Sequence, residues 1–440
     1  MRAARPGRPT LPSLWRDGDF RRLWAGQTAS QLGAQAAQVI LPLVAVVSLD
    51  AGAAELGVMR AVEQAPILLI SLFAGAWVDR RRSRDVMVLA DFGRALVLAA
   101  IPAAYLLGLL RAPALLCVAF LVGVLSVFFD VAYQAFLVRL VRREQLTQGN
   151  SLLQGSRSAA QIGGPALGGV LVSLFAAPFS LVAAAFLFVL SFLSIRRIRG
   201  PESVPEHTDQ PPRIGQRIRE GLRLVVADPS LRAVGLASAV FQFTFAALMT
   251  VYLIHLPRGL HLSGAAVGMT LAAMGPGAVV GSLLSARLPR RFGYGIVLVS
   301  SAVLADGVML CVPLLRGSTV ATIPLLMAVN FLFGAFSQTV DVTVMSVRQA
   351  VTPVRMQGRV VATINFVGMG LTPLGSLLGG CLADQWGSRT GLLLTAIGLS
   401  LSPLFMALSP LARLGKELPR CSAVAQNRPG VASRRFKTLE

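Results

Sequence analysis

The 440-residue chain is 54% hydrophobic and only 14% charged, where a typical soluble domain carries roughly 25% charged residues. So much apolar surface has no place in one water-soluble core, which excludes an ordinary globular enzyme or soluble binding module and calls for lipid. A formal net charge of +21 would suggest nucleic acid, but the Lys and Arg gather in the tails and alternate loops. Only Arg60, Arg111, Arg258, Arg316 and Arg389 fall at or near the opposite ends of the apolar runs. That asymmetry is the positive-inside pattern of a membrane protein, and no nucleic-acid partner is expected.

Taken in order, residues 1–19 form a basic tail on the inner face. The first apolar run begins only after Trp24, so an uncleaved first helix is expected rather than a signal peptide. That first span, roughly Arg22 to Leu49, carries Gln27, Gln31, Gln35 and Gln38 on one helical stripe. Amides facing lipid are costly, so the stripe must face protein or water, through inter-helix hydrogen bonds or as cavity lining. Two further runs, Leu56 to Trp77 and Val86 to Leu110, are each long enough to cross a bilayer and flank Gly75-Ala-Trp-Val-Asp79-Arg80-Arg81-Arg82-Ser83-Arg84. Its arginines place that turn on the cytoplasmic face. Spans at 114–138, 150–175 and 179–195 complete a first six-helix bundle, 20–195.

Residues 196–229 break the pattern with Pro201, Pro205, Pro211 and Pro212 among many charges, the composition of a linker. Its second part alternates Ile214, Ile218, Leu222 and Val225 with Arg213, Arg217, Arg219 and Arg223, which fits a helix lying along an anionic leaflet or a solvated loop helix. Six more spans follow at 231–255, 264–286, 295–315, 319–346, 359–383 and 390–411. They form a second bundle over 230–412, and 413–440 is a polar tail on the inner face. Cys117, Cys311 and Cys381 lie in or beside apolar runs and Cys421 in the tail, with no spacing for a disulfide framework or metal site.

The halves repeat in parallel at an offset of about 210 residues. Gln64-Ala65-Pro66 is echoed by Met274-Gly275-Pro276, and Gly75 with Arg81 and Arg82 by Gly281 with Arg287. Asp130 with Arg139 is echoed by Asp341 with Arg348, Gly149 by Gly358, and Pro165 with Gly168 and Gly169 by Pro373 with Gly375, Gly379 and Gly380. Two six-helix bundles related by an axis along the membrane normal are a known transporter plan.

At these residues the chain resembles the major facilitator superfamily, from Asp19 to Leu411. Gly75-x-x-x-Asp79-Arg80-x-x-x-Arg84 resembles that family's loop signature, with Arg82 and Ser83 where the family has Gly and a basic residue. Gly164-Pro165-Ala-Leu-Gly168-Gly169 resembles its antiporter signature, with Ala160 in place of the leading Gly. Phe20-Arg21-Arg22-Leu23-Trp24-Ala-Gly26-Gln27 and Leu146-Thr-Gln-Gly-Asn150 are most similar to the branch of macrolide and siderophore (enterobactin-type) exporters.

The resemblance implies an all-α polytopic fold, with twelve transmembrane helices in two bundles related by pseudo-twofold symmetry. It implies a monomer in the bacterial inner membrane, both termini cytoplasmic, exporting amphipathic small molecules by alternating access. Inward proton flow would supply the energy, without a cofactor. An uptake carrier for a small metabolite would share fold and repeat. A receptor or membrane-embedded enzyme would need a large soluble domain or a clustered catalytic set. His207, His255 and His261 form no such set, and no phosphate-binding glycine loop occurs.

Physical reading assigns roles beside the resemblance. Gly163, Gly164, Gly168 and Gly169, with Gly268, Gly275, Gly277 and Gly281, allow close helix approach, while Pro165 and Pro276 allow bending. Asp79 is expected to face the positive N-terminal end of the eleventh span near Gly358, with Gly75 permitting the approach, as a latch on the inner gate. Ser285 stands where the second half would need its acid, so the latch is one-sided.

An acid inside a membrane span is a functional candidate by default. Asp130 and Arg157 enter adjacent antiparallel spans to similar depths and can pair, as a fixed ion pair or a coupling site. Asp341 has neutral Asn365 near the matching position, and an acid without a fixed cation suits reversible protonation. Asp91 with Arg94 reads as a local pair, Arg60 with Glu63 likewise, and Asp306 receives no role. The cavity, between spans 1, 4, 7 and 10, is expected to use Gln31, Gln35, Gln242, Asn330 and Gln338 for polar contacts and Phe241, Phe245 and Phe333 among its apolar ones.

Overall fold

The computed structural model describes residues 14–78, 81–141, 145–200, 222–223, 225–315, 317, 321–352 and 357–416. Asp79, Arg80, Arg316, Cys421, the outer parts of both tails and most of the linker with its amphipathic stretch lie outside the described residues.

Asp17 opens the first span by accepting the amides of Asp19 and Phe20, which the first helical turn leaves without partners. The first half then runs through α1 (Gly18–Leu43), α2 (Ala53–Val78), α3 (Ser83–Leu106), α4 (Ala112–Leu140), α5 (Leu146–Leu174) and α6 (Ala177–Arg196). Asp228 repeats the cap for the second half, accepting from Ser230 and Leu231. There follow α7 (Pro229–Ile254), α8 (Gly264–Ala272), α9 (Met274–Phe292), α10 (Tyr294–Met309), α11 (Thr322–Val351), α12 (Gln357–Gly370), α13 (Thr372–Leu399) and α14 (Leu401–Ala407). The eighth span joins α8 to α9. Gly387 sits inside α13 at φ +80°, a backbone that turns the chain from the eleventh span into the twelfth. Large apolar side chains such as Phe73, Leu106 and Leu174 point outward, largely exposed to whatever surrounds the bundle. Together these elements make an all-α, multi-pass membrane protein of twelve spans.

The chain divides into two compact units, Met1–His207 with Leu256–Gly275, and Thr208–His255 with Pro276–Glu440. The division at His207 falls inside the predicted linker. Leu256–Gly275, expected in the second bundle, clusters with the first unit because α8 packs on α5.

The repeat is finer in the backbone than in the sequence. α1 ends in a π-helical turn over Val44–Ser48, and α7 ends in one over His255–Gly259. Each turn is followed by a non-glycine residue in the left-handed region, Asp50 at φ 50° and His261 at φ 54°, residue types that tolerate it better than most. Each is then closed by an equivalent hydrogen bond, from the Ala51 amide to Ala45 O and from the Leu262 amide to Leu256 O. Nothing in the apolar pattern of Val44–Ser48 signals the extra residue.

Candidate functional site

One end of the first unit is tied together by charge. Asp19 accepts the backbone amide of Gly200 at 2.8 Å and pairs with Arg22 at 2.7 Å. Arg84, expected in a gating motif, donates to the Ile198 carbonyl just beyond α6 at 2.8 Å. Arg139 donates to Ser83 at 3.1 Å. These bonds hold α1, α3, α4 and α6 at one level beside a core containing Phe20, Leu23, Phe136 and Ile198. Gly75 lies near the end of α2 and Gly358 near the start of α12.

The glycines form two faces on α5. A β-carbon on Gly168 would meet the Ala36 carbonyl of α1 at 3.0 Å, and one on Gly164 would meet the Ala36 nitrogen at 3.2 Å. Gly169, on another face, would place its β-carbon 2.6 Å from the Gly264 carbonyl of α8. Pro165 lies within this same helix. In the second unit Gly375 and Gly379, just after Pro373, press the same way on Phe243 and Ala247 of α7. Gly277 and Gly281 of α9 press on Phe331 and Ala335 of α11, with exposed Pro276 at the start of that contact.

The buried ion pair of the first unit is Asp91 with Arg94, side chains 0% and 3% exposed. Ser30 of α1 accepts from Arg94 at 3.0 Å and donates to Asp91 at 3.1 Å. The guanidinium lies between the rings of Phe129 on α4 and Phe188 on α6, 4.5 and 4.4 Å from their centroids, so four helices meet on one charge. Asp130 and Arg157 make no contact within 4.0 Å, so the expected ion pair is not formed. The physical reason is that Asp130 is shared, lying among Arg157, Arg94 and Gln31. The amide stripe runs from buried Gln27 and Gln31 through half-buried Gln35, beside Gly164, to exposed Gln38.

The second unit holds a cavity of about 350 Å³ between α7, α10, α11, α12 and α14. It collects Gln242, Phe241 and Asp341 from the expected set. It leaves out Phe245, Asn330 and Gln338. Phe245 stacks on Phe241 at 5.4 Å and on Phe333 at 5.5 Å, extending the aromatic wall behind the cavity. Asn330 is fully buried and donates to the Tyr252 hydroxyl at 2.6 Å and to the Leu326 carbonyl at 2.8 Å, so it acts between helices rather than toward a ligand. Gln338 packs beside Gly281. The cavity adds two charged groups that sequence reasoning did not place there, Asp306 from α10 and Arg348 from α11. Arg348 had a readable signal, since it follows Asp341 on one helical face two turns on. Asp306 had none, because α10 is apolar all round. Among the described residues no group of three His, Cys, Asp or Glu side chains offers a metal site.

The family described as transmembrane secretion effectors matches residues 12–433. The multidrug efflux pump Tap of Mycolicibacterium fortuitum is 27% identical over 351 residues, which span 78% of this chain and 82% of Tap. The enterobactin exporter EntS of Citrobacter koseri is 28% identical over 262 residues, 57% of this chain and 59% of EntS. In fold, a bacterial homologue of the iron transporter ferroportin, in an inward-facing state, superposes with a TM-score of 0.71 at 15% identity, covering 90% of this chain and 98% of that one.

Proposed function

This chain belongs to the major facilitator superfamily of membrane transporters, and from that premise we propose that it exports amphipathic small molecules across the bacterial inner membrane in exchange for protons. The observation that carries this reading is the cavity of about 350 Å³. It is within the range of small-molecule sites, has mainly apolar walls, and places acids among helices that cross lipid. The relatives named for multidrug efflux and enterobactin export support the outward direction and this substrate type. In this reading the chain works as a monomer with both termini cytoplasmic, alternates access to the cavity between the two sides, and draws on the proton gradient with no cofactor.

Asp341 carries the proton. It sits at an exposed position on the cavity wall, where water can deliver and remove it. Asp130, near Arg157, is the corresponding acid of the first unit. In this reading the motif of Gly75, Asp79, Arg80 and Arg84 serves as the latch of the inner gate, with Gly358 as its expected counterpart. The glycine and proline clusters Gly164, Pro165, Gly168, Gly169, Pro276, Gly281 and Pro373 form the surfaces on which helices shift.

A panel of macrolides, dyes and siderophores assayed for efflux, with and without an uncoupler, tests the reading. Uncoupler-sensitive efflux is expected, together with drug sensitivity in a deletion strain; auxotrophy in that strain would point to uptake and overturn the export direction. Asp341→Asn is expected to lower uncoupler-sensitive efflux by about tenfold or more, a barrier change of at least about 1.4 kcal/mol. Asp79→Asn is expected to insert normally yet turn over several-fold more slowly, and unaltered transport by it would remove the latch.

A further inference from the structure

Asp306 lies in the last turn of α10, 2% exposed, yet it forms part of the cavity wall. It makes no hydrogen bond and no ion pair within 4.0 Å with any of the described residues. Several other acids are partnered, whereas Asp341 on the same wall is, like Asp306, without a bond to a described residue. Asp91 has Arg94 and Ser30, Asp19 has Arg22 and two backbone amides, and Asp50 has Arg258. An ionised carboxylate removed from water without a partner is among the most costly groups a fold can hold. At Asp306 the protein leaves open the place that a partner would take, and that place opens into a cavity.

The surroundings say what fits. Charged groups reach the cavity from two helices only among the described residues. α10 brings Asp306, and α11 brings Asp341 and Arg348. The portions of α7, α12 and α14 on the wall carry no titratable side chain; they contribute Phe241, Gln242, Ile364, Met369, Ser402 and Met406. With both acids and Arg348 ionised the cavity carries one negative charge in excess, so a single positive charge brings it to neutrality. The apolar remainder is aliphatic, with three methionines, Met345, Met369 and Met406, that are polarizable and adaptable in shape, and one aromatic ring, Phe241. Phe241 offers the face of a three-ring stack, a favourable neighbour for a delocalised or alkylated cation. Among the described residues no group of three His, Cys, Asp or Glu side chains converges there to hold a metal ion.

We infer that this cavity binds one lipophilic organic monocation, with Asp306 as the carboxylate facing its charge, and that a proton competes with the cation for that carboxylate. The inference deepens the export reading by naming the substrate class, and it rests on that reading for transport alone, since binding is measurable without it. The arrangement couples the two ligands directly. Arrival of a proton at Asp306 removes the negative charge that retains the cation, and arrival of the cation displaces the proton.

The test uses the full-length protein in detergent and tetraphenylphosphonium, a permanently charged lipophilic cation that cannot shed a proton. Saturable binding with one ion per chain is expected, weakening as the pH is lowered. Asp306→Asn is expected to weaken it by about tenfold or more and to flatten its pH dependence. A second arm needs no variant. Dicyclohexylcarbodiimide, which modifies protonated carboxyls in apolar surroundings, is expected to label Asp306 in the wild type, and tetraphenylphosphonium is expected to protect it, as read by peptide mass spectrometry. Absence of binding, binding indifferent to Asp306→Asn, or labelling of Asp306 unchanged by the cation would each overturn the inference. Uncoupler-sensitive efflux of the panel compounds that persists alongside such a result would leave the export reading standing and remove only the cation site.

Discussion

Arg94→Met is expected to cost about 3–5 kcal/mol of stability, the penalty for leaving one member of a buried ion pair without its partner. Removing the guanidinium strands Asp91 at 0% exposure with neutral hydroxyls, Ser30 among them, in place of a cation. It also removes the group on which Phe129 and Phe188 close from opposite sides. Because α1, α3, α4 and α6 all contribute to that point, the loss is expected to loosen the whole first bundle rather than one helix. Asp91→Asn combined with Arg94→Met removes both charges and is expected to recover most of the loss, since a neutral pair has no comparable desolvation cost. Melting of the detergent-solubilised protein, followed by size-exclusion fluorescence, provides the measurement. Wild-type melting for Arg94→Met would show that the pair does not hold the bundle.

That cluster shows what was legible in the sequence. The i, i+3 spacing of Asp91 and Arg94 announces a local pair on one helix face. The cage around it is not announced, because Ser30, Phe129 and Phe188 lie on three other helices, and long-range neighbours leave no mark on local periodicity. The spans themselves were readable for a simple reason. A bilayer fixes the minimum length of an apolar helix, so runs such as Ala177–Arg196 declare themselves. For the same reason facing was not readable. A helix apolar on every side has no contrast between its lipid face and its buried face, so nothing in Tyr294–Met309 revealed that Asp306 points into a cavity. The pairing of Asp130 with Arg157 was argued from depth alone. Depth constrains height in the membrane, but not rotation about each helix axis. The glycines were the better guide, since a residue lacking a side chain marks a contact wherever backbones must meet.

Gly268→Ala is expected to destabilise the protein by about 1–3 kcal/mol, the usual cost of forcing an extra carbon into a packed contact. A β-carbon there would lie 2.5 Å from Gly169 Cα and 2.8 Å from the Pro165 carbonyl oxygen. Both are backbone atoms, so no side chain can swing aside, and relief requires α5 and α8 to separate. Helix propensity works in the other direction. Alanine is favoured over glycine inside a helix by roughly 0.5–1 kcal/mol, which reduces the net loss without reversing it. Gly307, on α10, supplies the control, because a β-carbon there meets nothing within 4 Å. Gly307→Ala is therefore expected to raise stability by up to about 1 kcal/mol. The two substitutions are chemically identical and are expected to differ in sign, which separates packing from propensity in one melting experiment. Equal shifts in the same direction would mean that the α5–α8 contact is looser than its geometry indicates. In that case Pro165 and Gly169 would lose their place as the surface on which those helices move.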